Sequence, residues 1–235
     1  KIATITQDEF AQIYSNCGYS DAIVRDPNSL SYVSEPYEGL VVFGIDCTRD
    51  FTNTNAWVDA QLKTGKYVGK QIIGIMHYGL VEHFTGQAQY FPGYVVNDWQ
   101  NVTNEFATNG LHIVFTGHFH AQDISKSGSG SSWFYDVETG SLVTYTCPWR
   151  IAEYDPNNHT LAINSHKTTS IDYSMGSYSD FQTYARDFFI SRTNSFFIPA
   201  IVNKFNMSTE QAKKYTDLYG YAMSQAILAH FEGDE

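Results

Sequence analysis

Gly117-His118-Phe119-His120 sets two imidazoles two residues apart, directly after the apolar run Leu111 to Thr116. A third imidazole, His77, ends a second apolar run, Ile72 to Met76. Imidazole nitrogen is a borderline ligand that suits zinc, iron, manganese or nickel, so histidines delivered by neighbouring strands form a candidate metal set. An isolated H-x-H is more commonly a surface or hydrogen-bonded pair. His77 shifts that balance, because a strand end on the same sheet edge can face the other two. Hydrolysis by a pair of ions about 3.5 to 4 Å apart also needs bridging oxygens, which histidines do not supply. Anionic carboxylates have to come from elsewhere.

Other residues near these motifs carry weaker signals. His83, six residues after His77, is a candidate donor to a substrate phosphate, with an exposed loop histidine as the alternative reading. Tyr78 is a candidate for lining the substrate pocket. Asp123 could orient a ligand imidazole, although a loop aspartate closing a turn is commoner. Asp46, at a strand exit, reads as structural, as do His112, His159, His166 and His230. Trp149 and Arg150 precede a hairpin and could flank a pocket, with packing the stronger reading. Gly128-Ser129-Gly130 lacks the strand, lysine and helix that a phosphate-cradling loop needs, and reads as a flexible connection.

The elements that would position the histidines are legible. Thr6 and Glu9 sit as a capping box would, ahead of a helix carrying Phe10, Ile13 and Tyr14. Leu30 to Ser34 alternates, and Leu40 to Asp46 is a continuous apolar run, predicting a strand pair leading into a buried strand. A helix over 55–66 and a strand over 67–76 then deliver His77. A helix over 96–109, stopped by Asn109-Gly110, and a strand over 111–116 deliver His118. This alternation argues for an α/β core, where ligands bind beyond the carboxyl ends of strands. Beyond the loop 125–132, strands are predicted at 133–137 and 141–145, followed by a hairpin, 149–154 with 160–165, turning at Asp155-Pro156-Asn157-Asn158. From about Ser177 the pattern is helical, and Ser208-Thr209-Glu210-Gln211 opens a last helix with Tyr215, Leu218, Tyr219, Ala222, Ala226 and Ala229 as its packing stripe.

With 43% hydrophobic and 16% aromatic residues among 235, the chain can bury a sizeable core. Its net charge of -11 excludes a cationic footprint for nucleic-acid polymers, while small phosphorylated substrates remain open to a metal-dominated site. No apolar run reaches the roughly 20 residues of a membrane span. Cys17, Cys47 and Cys147 form no CxxC, so at most one bridge is possible. Few lysines and abundant Asn, Thr, Ser and Tyr lean towards an extracytoplasmic setting, periplasmic or secreted.

Gly74-Ile75-Met76-His77 followed by Val114 to His120 resembles the last two metal-binding motifs of the calcineurin-like metallophosphoesterases, a strand-terminal His and then Gly-His-x-His. The resemblance implies that His77 and His118 bind one metal and His120 the other, in a two-metal site holding divalent Mn, Fe, Zn or Ni that hydrolyses a phosphoester. It implies an α/β fold, part of a four-layer sandwich of two mixed β-sheets flanked by helices. Residues 1–168 would form the carboxyl-terminal part of that domain, and 169–235 a helical segment packing on it. The family's earlier motifs, Asp-x-His, Gly-Asp-x-x-Asp and Gly-Asn-His-Asp/Glu, are absent from this sequence. The expectation is therefore that the amino-terminal half of the same protein is a missing partner and that these residues alone are inactive. The alternative is a non-catalytic protein that keeps the fold and grips a glycan or peptide with its 17 Tyr and 4 Trp; exposed aromatic rings would favour it.

Overall fold

A computed structural model describes residues 4–48 and 51–233. The chain forms two compact units: Lys1–Phe119 with Ile124–Glu138 and Tyr154–Leu161, and His120–Asp123 with Thr139–Glu153 and Ala162–Glu235. The α/β class read from the alternating pattern is the one that folds, as one seven-stranded mixed sheet, a two-stranded sheet and a helical carboxyl-terminal segment.

The first unit opens with α1 (Gln7–Ile13), started by the expected capping box: Glu9 N–H donates to Thr6 Oγ1 at 3.2 Å and Thr6 N–H to Glu9 Oε2 at 2.7 Å. A π-helical turn, Ser15–Tyr19, leads to β1 (Ala22–Arg25), β2 (Tyr32–Tyr37) and β3 (Leu40–Gly44), paired antiparallel in that order. Helix α2 (Phe51–Leu62) then crosses to β4 (Gln71–Ile75), which pairs parallel to β3. The short α3 (Gln87–Tyr90) and α4 (Trp99–Thr108) precede β5 (Ile113–Thr116), parallel to β4. A parallel pair cannot be joined by a tight turn, so each crossover helix is what the chain requires there. Strands β6 (Asp123–Ser127) and β7 (Phe134–Glu138) complete the sheet in the order β1-β2-β3-β4-β5-β7-β6, with β7 parallel to β5.

Period-two alternation sends Val41, Phe43, Ile72, Val114 and Phe134 into one core with Val58 and Leu62 of α2 and Val102 and Phe106 of α4. Gly74 lies on the same face, where an added Cβ would stand 2.8 Å from Val114 Cγ2. Only a residue without a side chain lets β4 and β5 approach there, so Gly74→Ala is expected to cost about 1–3 kcal/mol through overpacking. Urea unfolding checks it; an unchanged midpoint would show that the two strands have room to spare.

Three expectations require correction. Segment 141–145 is turn rather than strand: Thr144 N–H donates to Ser141 O at 3.1 Å, and Leu142 and Val143 are 64% and 89% exposed. Its apolar residues find no neighbouring strand to cover them. Conversely, Asp123–Ser127 pairs as β6 although it looks like a polar loop, its partner strand outweighing weak propensity. In the second unit, which carries α5 (Phe181–Phe205) and α6 (Thr209–Glu232), the anticipated stripe points outward: Tyr215, Leu218 and Tyr219 are 48%, 71% and 51% exposed. The buried face is Ala212, Thr216, Gly220, Ser224 and Leu228 at intervals of four. Mostly small side chains at that spacing let α6 lie close against α5, and bulk is displaced to the far side. The capping box at Ser208 and Gln211 does form. A two-stranded sheet of β8 (Pro148–Asp155) and β9 (Thr160–Lys167) forms as expected, its turn closed by Asn157 N–H donating to Asp155 Oδ1 at 2.8 Å. All three cysteines are free, and among the described residues no helix is long and apolar enough to cross a membrane.

Candidate metal centre

The pairing of β4 with β5 runs on past the strands' ends. Met76 N–H donates to Phe115 O and Gly117 N–H donates to His77 O, both at 3.0 Å. Parallel strands leave on the same edge, so His77 and His118 emerge side by side. The next turn is unusually tight: Phe119 N–H donates back to Gly117 O at 2.9 Å, with His118 at its centre at a φ of +74°. The left-handed residue in that turn is His118 rather than the glycine before it, and His120 follows at +66°. A non-glycine residue held there costs about 1–3 kcal/mol, and such strain clusters at functional sites.

The turn brings His118 Nδ1 to 3.0 Å from His77 Nε2. A contact of that length holds one proton, donated by one ring and accepted by the other; with both rings protonated it would be repulsive. His77 is exposed and His118 half-buried. Tyr78 meets the His118 ring edge-on at 4.3 Å, and Tyr94 stacks on it at 4.8 Å with planes 28° apart. Tyr94 is held in place because its segment pairs with the loop after His77: Val95 bridges Gly79, and Val96 N–H donates to Gly79 O at 2.9 Å.

Two neutral imidazoles whose nitrogens stand 3.0 Å apart fit adjacent positions on one ion, since two ligands at right angles on bonds of about 2.1 Å are separated by about 3 Å. His120 belongs to the second unit, with its ring 6.2 Å from Phe231. Among the described residues no three His, Cys, Asp or Glu side chains converge as a metal-holding group. An ion held at this pair would need further ligands.

Beneath the pair lies a buried acidic network that sequence reasoning missed. Asp136, fully buried on β7, accepts from Leu80 N–H at 2.5 Å and Val81 N–H at 2.9 Å with one oxygen, and from the Thr116 hydroxyl with the other. Leu80 and Val81 follow His77 by three and four residues, and Thr116 precedes His118 by two. One carboxylate therefore ties together the two segments that carry the histidines. Burial pushes its pKa up from 3.8 to about 6, opposed by the charge of His83 and by the three hydrogen bonds.

His83 is part of this network, not an exposed loop residue. Its side chain is 3% exposed, with Nε2 2.6 Å from Glu138 Oε2 and Nδ1 3.0 Å from Ser125 Oγ. Its backbone N–H donates to the buried Gln87 side chain at 2.8 Å. Both ring nitrogens are engaged inside the fold, which makes His83 an anchor of the loop rather than a donor to a substrate phosphate. A signal for the network was available: the spacing of Phe134, Asp136 and Glu138 puts two acids on a core-facing side of a strand, where a carboxylate survives only with partners.

The remaining candidates are engaged within the fold. Asp46 accepts from Thr48 N–H at 2.9 Å and Leu30 N–H at 3.1 Å. His112 Nδ1 lies 2.7 Å from Trp133 O and its ring stacks on Trp133. Arg150 donates to Thr139 Oγ1, Ser165 Oγ and the backbone O of Asp123, while Trp149 stacks on His166. Asp123, read as a loop aspartate closing a turn, instead opens β6 with its side chain buried. No family model matches this chain, and no characterised protein matches it with significant similarity.

Proposed function

We propose that this chain supplies the histidine part of a two-metal phosphoesterase centre acting on a small phosphorylated substrate. The observation that carries the reading is the 3.0 Å approach of His77 Nε2 and His118 Nδ1 at the carboxyl ends of adjacent parallel strands. In this reading His77 and His118 hold one divalent ion of the pair, with Mn, Fe, Zn or Ni all compatible with imidazole donors. When bound, such ions supply Lewis acidity towards the phosphoryl oxygens and make water a nucleophile near neutral pH. For both rings to act as ligands through these nitrogens, the ring that donates the hydrogen bond between them would carry its proton on its other nitrogen. Asp136 holds their two segments in register, and Tyr78 and Tyr94 fix the plane of His118. The anionic ligands would come from residues outside this set.

The test is metal-dependent turnover of a phosphomonoester and a phosphodiester by the protein produced from its whole reading frame, beside the His77→Ala variant. We expect Mn²⁺-stimulated hydrolysis that falls at least about 100-fold in the variant, and little or none from residues 1–235 alone. Undiminished turnover by His77→Ala would refute the role of the pair.

A second reading, a non-catalytic protein that grips a glycan or peptide, has its own support in the exposed rings of Phe84, Phe91 and Tyr94, 39%, 41% and 37% exposed. It predicts ligand binding that is indifferent to chelators and to His77→Ala.

A further inference from the structure

Phe84, Phe91 and Tyr94 pack around Phe119, their centroids 6.2, 5.3 and 4.6 Å from its own. Phe84 meets Phe91, and Phe91 meets Tyr94, edge to face at 86° and 88°. The cluster is continuous with the histidine pair, because Tyr94 also stacks on His118 and Phe119 follows it in the chain. Large rings left more than a third exposed, side by side, against a polar site are a surface kept for contact with something apolar.

We propose that this aromatic shelf is the subsite for a flat ring of the substrate, so that the phosphoester taken carries an aryl group or a nucleobase beside its phosphate. This rests on the phosphoesterase reading above. The chemistry of the shelf argues for a ring over a sugar: two of its three exposed members are phenylalanines, which offer π faces and edges but no partner for sugar hydroxyls. Perpendicular neighbours present both a face and an edge, the two geometries in which an added ring is held. A nucleic-acid polymer is disfavoured by the net charge of -11.

Binding can be read without turnover. In the metal-free chain, phenol and adenosine titrated against ¹³C-labelled aromatic resonances are expected to shift Phe91 and Tyr94, and Phe91→Leu, which keeps apolar bulk but removes the flat ring, should weaken both probes about tenfold. In the whole protein with Zn²⁺, phenyl phosphate or AMP should bind about tenfold more tightly than methyl phosphate or ribose 5-phosphate respectively, and Tyr94→Leu should erase that advantage while Tyr94→Phe retains it. The larger ratio identifies which ring source the shelf prefers. Ring probes that leave Phe91 and Tyr94 unmoved, or equal affinity for ring-bearing and ring-free phosphates, would overturn the proposal while leaving the metal centre standing. Phosphate binding that is unaffected by His77→Ala would instead overturn the phosphoesterase reading on which it rests.

Discussion

Asp136→Ala is expected to lose about 3–5 kcal/mol of stability, because two backbone N–H groups and a buried hydroxyl lose their common acceptor and His83 loses a neighbouring negative charge. Asp136→Asn should behave differently. Its amide oxygen can still accept from Leu80 and Val81, and its amide nitrogen can donate to Thr116 Oγ1, so the hydrogen bonds survive while the buried charge goes. The pH dependence separates the two effects. With the folded pKa raised from 3.8 to about 6, the folded state holds the proton more tightly than the unfolded chain. The stability this gives is fully present below pH 4, declines as pH rises through about 6, and is absent above it. A difference of about 2 pH units amounts to about 3 kcal/mol lost across that interval. Urea midpoints measured from pH 4 to 7 should show this decline in the wild type and a flatter profile in Asp136→Asn. Parallel profiles would place the titration elsewhere in the network.

The same residue shows what sequence could and could not reveal. Helix and strand alternation was legible from hydrophobic period, and it placed His77 and His118 at strand ends correctly, because buried parallel strands read as continuous apolar runs. The capping boxes at Thr6 and Ser208 were legible because their chemistry is local. The acids of β7 were harder to read, since their partners lie 55 or 56 positions away for Leu80, Val81 and His83 and 20 for Thr116, and only the folded sheet brings these together. Tyr94 was missed for a similar reason: its contact with His118 depends on the bridge between Gly79 and Val95, which has no periodic signature. The α6 stripe misled because the helix carries two apolar faces, and the small one gives a weaker hydrophobic signal although it packs more closely.

Replacing His118 separates its two burdens, a ring that faces His77 and a backbone held at a φ of +74°. His118→Ala keeps the strained backbone but removes the ring. His118→Gly removes the ring as well and adopts the left-handed turn without a Cβ penalty, so it should be more stable than the alanine variant by about 1 kcal/mol. In metal binding the two should be equally deficient, each losing more than about 100-fold in affinity for Zn²⁺ or Co²⁺ by calorimetry on the whole protein. Hydrolysis should fall at least as far in both. That divergence is what distinguishes a ligand from a residue that merely shapes the turn. If glycine restored metal affinity along with stability, the imidazole would have no part in the centre and the turn alone would matter. If both variants were as stable as the wild type, the left-handed conformation at His118 would carry no strain, and its occurrence beside His77 would cease to point to function.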